Sequence, residues 1–284
     1  MSFVVYAFKT LTRRILKFFS FGGVCLAVCL ASAQQSYLGF DRNQYPGDQN
    51  LKVLRQTFSY SGFWLNNPPG ENTNSWRGKR QAIKSAGFGF LVLFNGRLDK
   101  QLRRNPAALG KTDGQAAAAA AQREGFPART IIFLDIEEGG RMLPEQKSYI
   151  YAWVDAVNGA GFRAGVYCSG IPAREDKNTT IVTADDIRNN AQGRPITYWV
   201  TNDVCPPSPG CAFPGRSPRP AESKIDFADI WQFAQSPRRP DFAAKCHNYN
   251  RDGNCYPPGF DPSIHLFLDV NTANSADPSA ATAH

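Results

Sequence analysis

The chain has 284 residues, of which 42% are hydrophobic and 20% charged, with a formal net charge of +8, so it is neither fibrous nor disordered and can bury one large core. Four basic residues, Lys9, Arg13, Arg14 and Lys17, fall in the first 33 positions, where there is no acid; the remainder carries 28 basic and 24 acidic residues, a net +4. So small an excess, without a long basic run, argues against nucleic acid as a partner.

The first element reads as an export signal. A basic stretch through Lys17 leads into the apolar run Phe18 to Leu30 and then Ala31-Ser32-Ala33, the order of charge, apolar stretch and small residues that a signal peptidase recognises. Cleavage is expected after Ala33, and the run is short for a bilayer span. The mature protein is therefore expected to be secreted or periplasmic, without membrane contact. Arg13-Arg14 fits a twin-arginine signal, which implies export in the folded state, as well as an ordinary basic n-region.

Eight short apolar runs with strand character follow: Tyr37 to Phe40, Phe58 to Leu65, Phe88 to Phe94, Thr130 to Ile136, Phe162 to Tyr167, Ile196 to Val200, Ile230 to Phe233 and Ile264 to Val270. Helical signals separate several of them. Thr112-Asp113-Gly114-Gln115 resembles a capping box opening the run Ala116 to Ala121. Pro144 suits a first helical turn, and Tyr149, Ile150, Trp153, Val154 and Val157 then recur on one face. Thr183-Ala184-Asp185-Asp186 is a further capping signal. Alternation of this kind over roughly 250 residues predicts an α/β fold, a (β/α)8 TIM-type barrel with irregular crossovers, the doubly wound open sheet being the alternative. Residues 34–272 would form the barrel domain, Asn66 to Asn74 a loop at its mouth, and 273–284 a flexible tail with too little apolar surface to pack.

Cysteine usage agrees with export. The mature chain keeps Cys168, Cys205, Cys211, Cys246 and Cys255; the pairs Cys205/Cys211 and Cys246/Cys255 each close a short loop rich in Pro, Gly and Asn, which predicts two local disulfides stapling long loops. Cys168, inside an apolar run, reads as a buried thiol. His247, His265 and His284 lack ligand spacing with the cysteines, so no metal or other cofactor is expected. The protein is expected to act as a monomer.

In a barrel of this type chemistry sits where strands end, and polar residues close several of the apolar runs. Asp41 ends the first, Asp135 and Glu137 the fourth and Asp269 the eighth. Side chains alternate along a strand, so Asp135 and Glu137 share a face about 7 Å apart while Glu138 points the other way. Two carboxyls entering one pocket at that separation can supply a proton to a glycosidic oxygen while stabilising positive charge at the anomeric carbon. Taken singly, an acid at a strand end as often caps the next helix; the co-occurrence of four favours function. Tyr45, Tyr167, Tyr198, Trp199 and Trp231, with Trp64 and Trp76, could stack on sugar rings, and Gln232, Asn202 and Asn271 could bind hydroxyl or N-acetyl groups.

These residues resemble a known family. Tyr37-Leu38-Gly39-Phe40-Asp41 with Tyr45, Phe133-Leu134-Asp135-Ile136-Glu137, Gly165-Val166-Tyr167, Tyr198-Trp199, Trp231-Gln232-Phe233 and Asp269-Val270-Asn271 are similar, in order, to the motifs of glycoside hydrolase family 25, the lysozyme-type muramidases. They are more similar still to the uncharacterised secreted glycoside-hydrolase-like domains related to it. The resemblance implies Glu137 as general acid, Asp135 orienting the N-acetyl group of the substrate, and Asp41 and Asp269 binding the reacting sugar. It implies a polysaccharide substrate, peptidoglycan foremost, with a non-catalytic glycan-binding module as the other reading. The chain departs from family 25 at Arg42-Asn43, at Glu138-Gly139-Gly140, over Asn66 to Arg80 and in both cysteine loops.

Overall fold

The computed structural model describes residues 35–205, 217–235 and 266–280. The export signal, the side chain of Cys205, and Cys211, Cys246 and Cys255 with their expected disulfides lie outside the described residues.

Eight strands close a barrel. They are β1 (Tyr37–Asp41), β2 (Tyr60–Trp64), β3 (Gly89–Asn95), β4 (Ile131–Asp135), β5 (Arg163–Ser169), β8 (Thr197–Cys205), β9 (Ile230–Ala234) and β10 (Asp269–Ala273), in the spatial order β1-β10-β9-β8-β5-β4-β3-β2. A two-stranded ribbon, β6 (Ala173–Arg174) with β7 (Thr180–Ile181), stands outside it. The barrel expectation is thus met and the open sheet is not.

The last strand departs from the regular pattern. It begins at Asp269 rather than ending there, and it runs antiparallel to both β1 and β9. A parallel neighbour needs a crossover through the far end of the barrel; an antiparallel one can start at the rim where β9 stops.

The helices are uneven. Between strands lie α1 (Leu51–Leu54), α2 (Arg80–Ser85), α3 (Pro106–Arg123), α4 (Pro144–Gly159) and α5 (Thr183–Asn189), of which only α3 and α4 are long. The face of α4 read from the sequence is buried throughout: Tyr149, Ile150, Trp153, Val154 and Val157 are all in the core. The capping box at Thr112 is not used, because α3 starts at Pro106 after Asn105 and carries Thr112 in its interior. Asp113 turns instead into the barrel wall, where it accepts from Arg97 Nε at 2.6 Å, Arg97 Nη2 at 2.9 Å and the Tyr149 hydroxyl at 2.9 Å. Thr183 and Asp186 likewise serve the loop after β4 rather than a cap: Thr183 Oγ1 accepts from the Gly140 N–H and Asp186 from the Met142 N–H.

The expected tail is corrected over its first part. Residues 273–280 pack under the barrel, where the N–H groups of Phe90, Val92 and Ile131 donate to Asp277 Oδ1, Ser279 Oγ and the Ser279 carbonyl, each at 2.8 Å. Backbone groups at the starts of β3 and β4 are satisfied in this way. A segment held by such hydrogen bonds has no hydrophobic signature to read.

Candidate active site

The strand ends build the site in register. On β4 the inward positions are Phe133, whose ring lies 6.2 Å from that of Trp199, and then Asp135. The backbone stays in line beyond the strand, since the Ile136 N–H donates to the Tyr167 carbonyl at 3.0 Å, and Glu137 therefore follows Asp135 onto the same face. On β1, Asp41 pairs directly with Asp269 of β10. A Cβ on Gly62 of β2 would lie 2.9 Å from Asp41 Cβ, so only glycine leaves Asp41 its place.

Asp41, Asp135, Glu137 and Asp269 line one cavity, together with Asn43, Trp64, Leu93, Tyr167, Trp199 and Gln232. Asp135 is 4% exposed, whereas Glu137 stands exposed at the mouth. A larger hollow lies on the opposite floor against Arg80, Phe90, Phe126 and Ser279, with Asp277 as its one carboxylate. The strand-end cavity, although smaller, is where the carboxylates converge.

Hydrogen bonds fix the floor of the site. Asp41 Oδ1 accepts from Asn271 Nδ2 at 2.7 Å and from Gln232 Nε2 at 3.0 Å. Trp199 Nε1 donates to Asn271 Oδ1 at 2.9 Å, and the Tyr167 hydroxyl donates to Gln232 Oε1 at 2.7 Å. Burial, reinforced by the charges of Asp135, Glu137 and Asp41, holds the Tyr167 phenol well above the usual tyrosine range, so it remains a donor. Burial pulls the Arg42 guanidinium below its usual value, against Asp269 and Glu71, which raise it.

Several residues read as substrate ligands are placed elsewhere. Tyr198 and Trp231 are neighbours of the inward Trp199 and Gln232, so alternation turns them out of the barrel; Tyr198 packs on Phe227, and Trp231 packs on Phe233 and donates to the Asn202 carbonyl. Tyr45 packs on Trp76 and donates to Asp48 at 2.7 Å, away from the cavity. Trp76 is wholly buried and donates to the Asn43 carbonyl. Asn271 lies beneath the cavity, engaged with Asp41 and Trp199. Glu138 points away from the cavity as parity requires, accepting from the Asp99 N–H at 3.0 Å and from Gln146 Nε2 at 2.6 Å. Leu93 and Asn43 were missed as lining residues; Asn43 stands two positions after Asp41, the spacing that would have flagged it. Cys168 is buried and free, as its apolar run suggested.

The family model of the Rv2525c-like, glycoside hydrolase-like domain matches residues 58–206. The chain belongs to this family. Asp135, Glu137, Tyr167 and Trp199 fall within the match, while Asp41, Gln232, Asp269 and Asn271 flank it and are brought in by closure of the barrel. No curated protein matches the chain. Among solved structures, an uncharacterized B. stearothermophilus protein is similar at 18% identity and TM-score 0.52, over 84% of this chain and 95% of that one. The Mycobacterium tuberculosis Tat-secreted protein Rv2525c, in complex with L-tartrate, is similar at 12% identity and TM-score 0.51, again over 84% and 95%. The Clostridium perfringens spore cortex lytic enzyme SleM is similar at 12% identity and TM-score 0.51, over 84% of this chain and 68% of that one. At these identities the likeness is one of fold. The glycoside-hydrolase-like resemblance read from the motifs is borne out by the family match.

Proposed function

We propose that the protein is an exported glycoside hydrolase that cleaves a cell-wall or related polysaccharide, peptidoglycan foremost, with Glu137 as proton donor. The observation that carries this reading is the convergence of Asp41, Asp135, Glu137 and Asp269 on one cavity. Glu137, at the mouth, stands where a leaving sugar would depart; Asp135, buried beside the Tyr167 phenol, would sit against the reacting ring. Glu137 gives its proton to the glycosidic oxygen as the bond to the anomeric carbon breaks. The carbonyl oxygen of the substrate's N-acetyl group, oriented by Asp135, bonds to that carbon. Water then opens the resulting ring and returns a proton to Glu137.

Export is read from residues 1–33, and the two cysteine loops are read as disulfides suited to an oxidising compartment. The likeness in fold to a Tat-secreted protein and to a spore cortex lytic enzyme agrees with an exported, wall-directed role. A binding module without catalysis would need exposed aromatic faces for stacking. Trp64 and Trp199 are 3% and 1% exposed, and Tyr198 and Trp231 face outward, which favours the hydrolase.

The test is release of reducing ends from purified cell walls and a glycan panel by the mature protein. Glu137→Gln should lower release by about 10² or more. Equal release by the two proteins would remove Glu137 from the chemistry; retention on the glycan without release would support the binding module.

A further inference from the structure

Gln232 and Asn271 were read from the sequence as ligands for sugar hydroxyls, yet both are buried and their amides are committed to protein groups. The commitments have a fixed polarity. Indole Nε1 can only donate, so Trp199 forces the oxygen of the Asn271 amide toward itself at 2.9 Å and the nitrogen toward Asp41. Gln232 is oriented from its other end: its Nε2 faces the acceptor-only Asp41 carboxylate at 3.0 Å, while its Oε1 accepts from the Tyr167 hydroxyl at 2.7 Å and Gln235 Nε2 at 3.0 Å. Either amide turned the other way would set its oxygen against the carboxylate, and Asn271 would also leave its N–H groups facing the indole N–H of Trp199. The second N–H of Asn271 reaches the Asp269 carbonyl at 3.4 Å, tying the same amide to the neighbouring acid's backbone.

We infer that Asn271 and Gln232 are positioning residues: locked by Trp199 and Tyr167, they hold Asp41 as an oriented hydrogen-bond acceptor on the floor of the cavity. This rests on the hydrolase reading, in which Asp41 meets the reacting sugar. Two N–H donors converging on one oxygen favour the ionised carboxylate and restrict its rotation. Other ionisable groups face Asp41: Asp269 across the β1–β10 pair, Tyr60 from β2, Tyr167 from β5, and Asp135 and Glu137 from the β4 side, with Arg42 beside it in the chain. None of these three carboxyls and two phenols carries a positive charge, and the two amides each place an N–H on Asp41 Oδ1.

The test uses the full mature chain with aspartate labelled for 13C NMR, and the variants Asn271→Asp and Asn271→Leu. Asn271→Leu removes the N–H groups that face Asp41 without adding a charge and is the deciding variant; Asn271→Asp removes them too but sets a second carboxyl against Asp41, which raises the midpoint by itself. Tyr167→Phe, which removes one of the two donors to Gln232 Oε1, serves if Asn271→Leu does not fold. The titration midpoint of the Asp41 carboxyl should rise by roughly one pH unit or more in the Asn271 variants. On a glycan substrate kcat should fall between about 10- and 100-fold with KM nearly unchanged, as loss of orientation predicts. An Asp41 midpoint unchanged in folded Asn271→Leu overturns the inference even if the wild type hydrolyses glycans. A midpoint that rises in a protein that releases no product upholds the lock and removes the hydrolase reading.

Discussion

Asp41 and Asp269 are direct partners in the antiparallel pairing of β1 with β10, the one the last residue of its strand and the other the first. Reversal of β10 therefore puts both carboxylates on the rim that collects the C-terminal ends of the parallel strands. In the closed order, β4 lies across the barrel from β10, four strands away in either direction, so Asp135 and Glu137 face Asp269 from the opposite wall. A substrate entering that rim meets acids on two sides.

Gly62 controls the seat of Asp41. A methyl group there would approach Asp41 Cβ to 2.9 Å and Cα to 3.1 Å, and a backbone atom cannot swing aside as a flexible side-chain tip can. Gly62→Ala should destabilise by about 1–3 kcal/mol through overpacking, measured by urea denaturation. Product release should fall along with it. Gly159→Ala, where nothing lies within 4 Å of the added carbon, is the control and should be neutral or slightly stabilising. Equal stability of the two variants would show that β1 moves freely away from β2.

What the sequence disclosed follows from which signals survive without partners. Strand existence and the parity of Asp135 and Glu137 come from local alternation, and the structure keeps both. The same alternation, applied to Tyr198-Trp199 and Trp231-Gln232, turns Tyr198 and Trp231 outward although both stand near strand ends. Asp269 was assigned the right rim with the wrong strand direction, because an acid beside a short apolar run looks alike whichever way the strand runs. The role of Asn271 was hidden for a different reason. Its partners, Asp41 and Trp199, lie 230 and 72 positions away, and no local pattern records such pairings.

Cys168 offers a test of the core that is independent of catalysis. Burial pushes its thiol up to about 12, with Asp185 adding to the rise. The nucleophilic thiolate is therefore nearly absent at pH 8, and access is blocked as well. In the folded protein Cys168 should resist alkylation by iodoacetamide at pH 8 and react in urea, read by mass spectrometry of the peptide that carries it. The same shift has a consequence at high pH. The unfolded chain loses this proton near 9 while the folded chain keeps it to about 12, so stability from this group is complete below 9 and declines across that window. Rapid labelling of the native thiol at pH 8 would contradict the packing of β5.

Asp277 gives the opposite end of the pH scale. Burial raises its carboxyl above the ordinary value of 3.8, while the hydrogen bond from the Phe90 N–H and the charge of Arg80 pull it down and lose. The folded chain thus holds the proton to a higher pH than the unfolded chain. Stability from this group is complete below 3.8 and is lost as pH rises through the folded value, so the ionised carboxylate opposes folding at neutral pH. Asp277→Asn keeps an oxygen for the Phe90 N–H and removes the charge. The variant should be more stable than the wild type at pH 7, with an advantage that shrinks as the pH falls toward 4, followed by thermal unfolding across the range. A variant less stable at pH 7 would mean that attraction to Arg80, rather than burial, governs the carboxyl under the barrel, and that residues 273–280 are held there by charge.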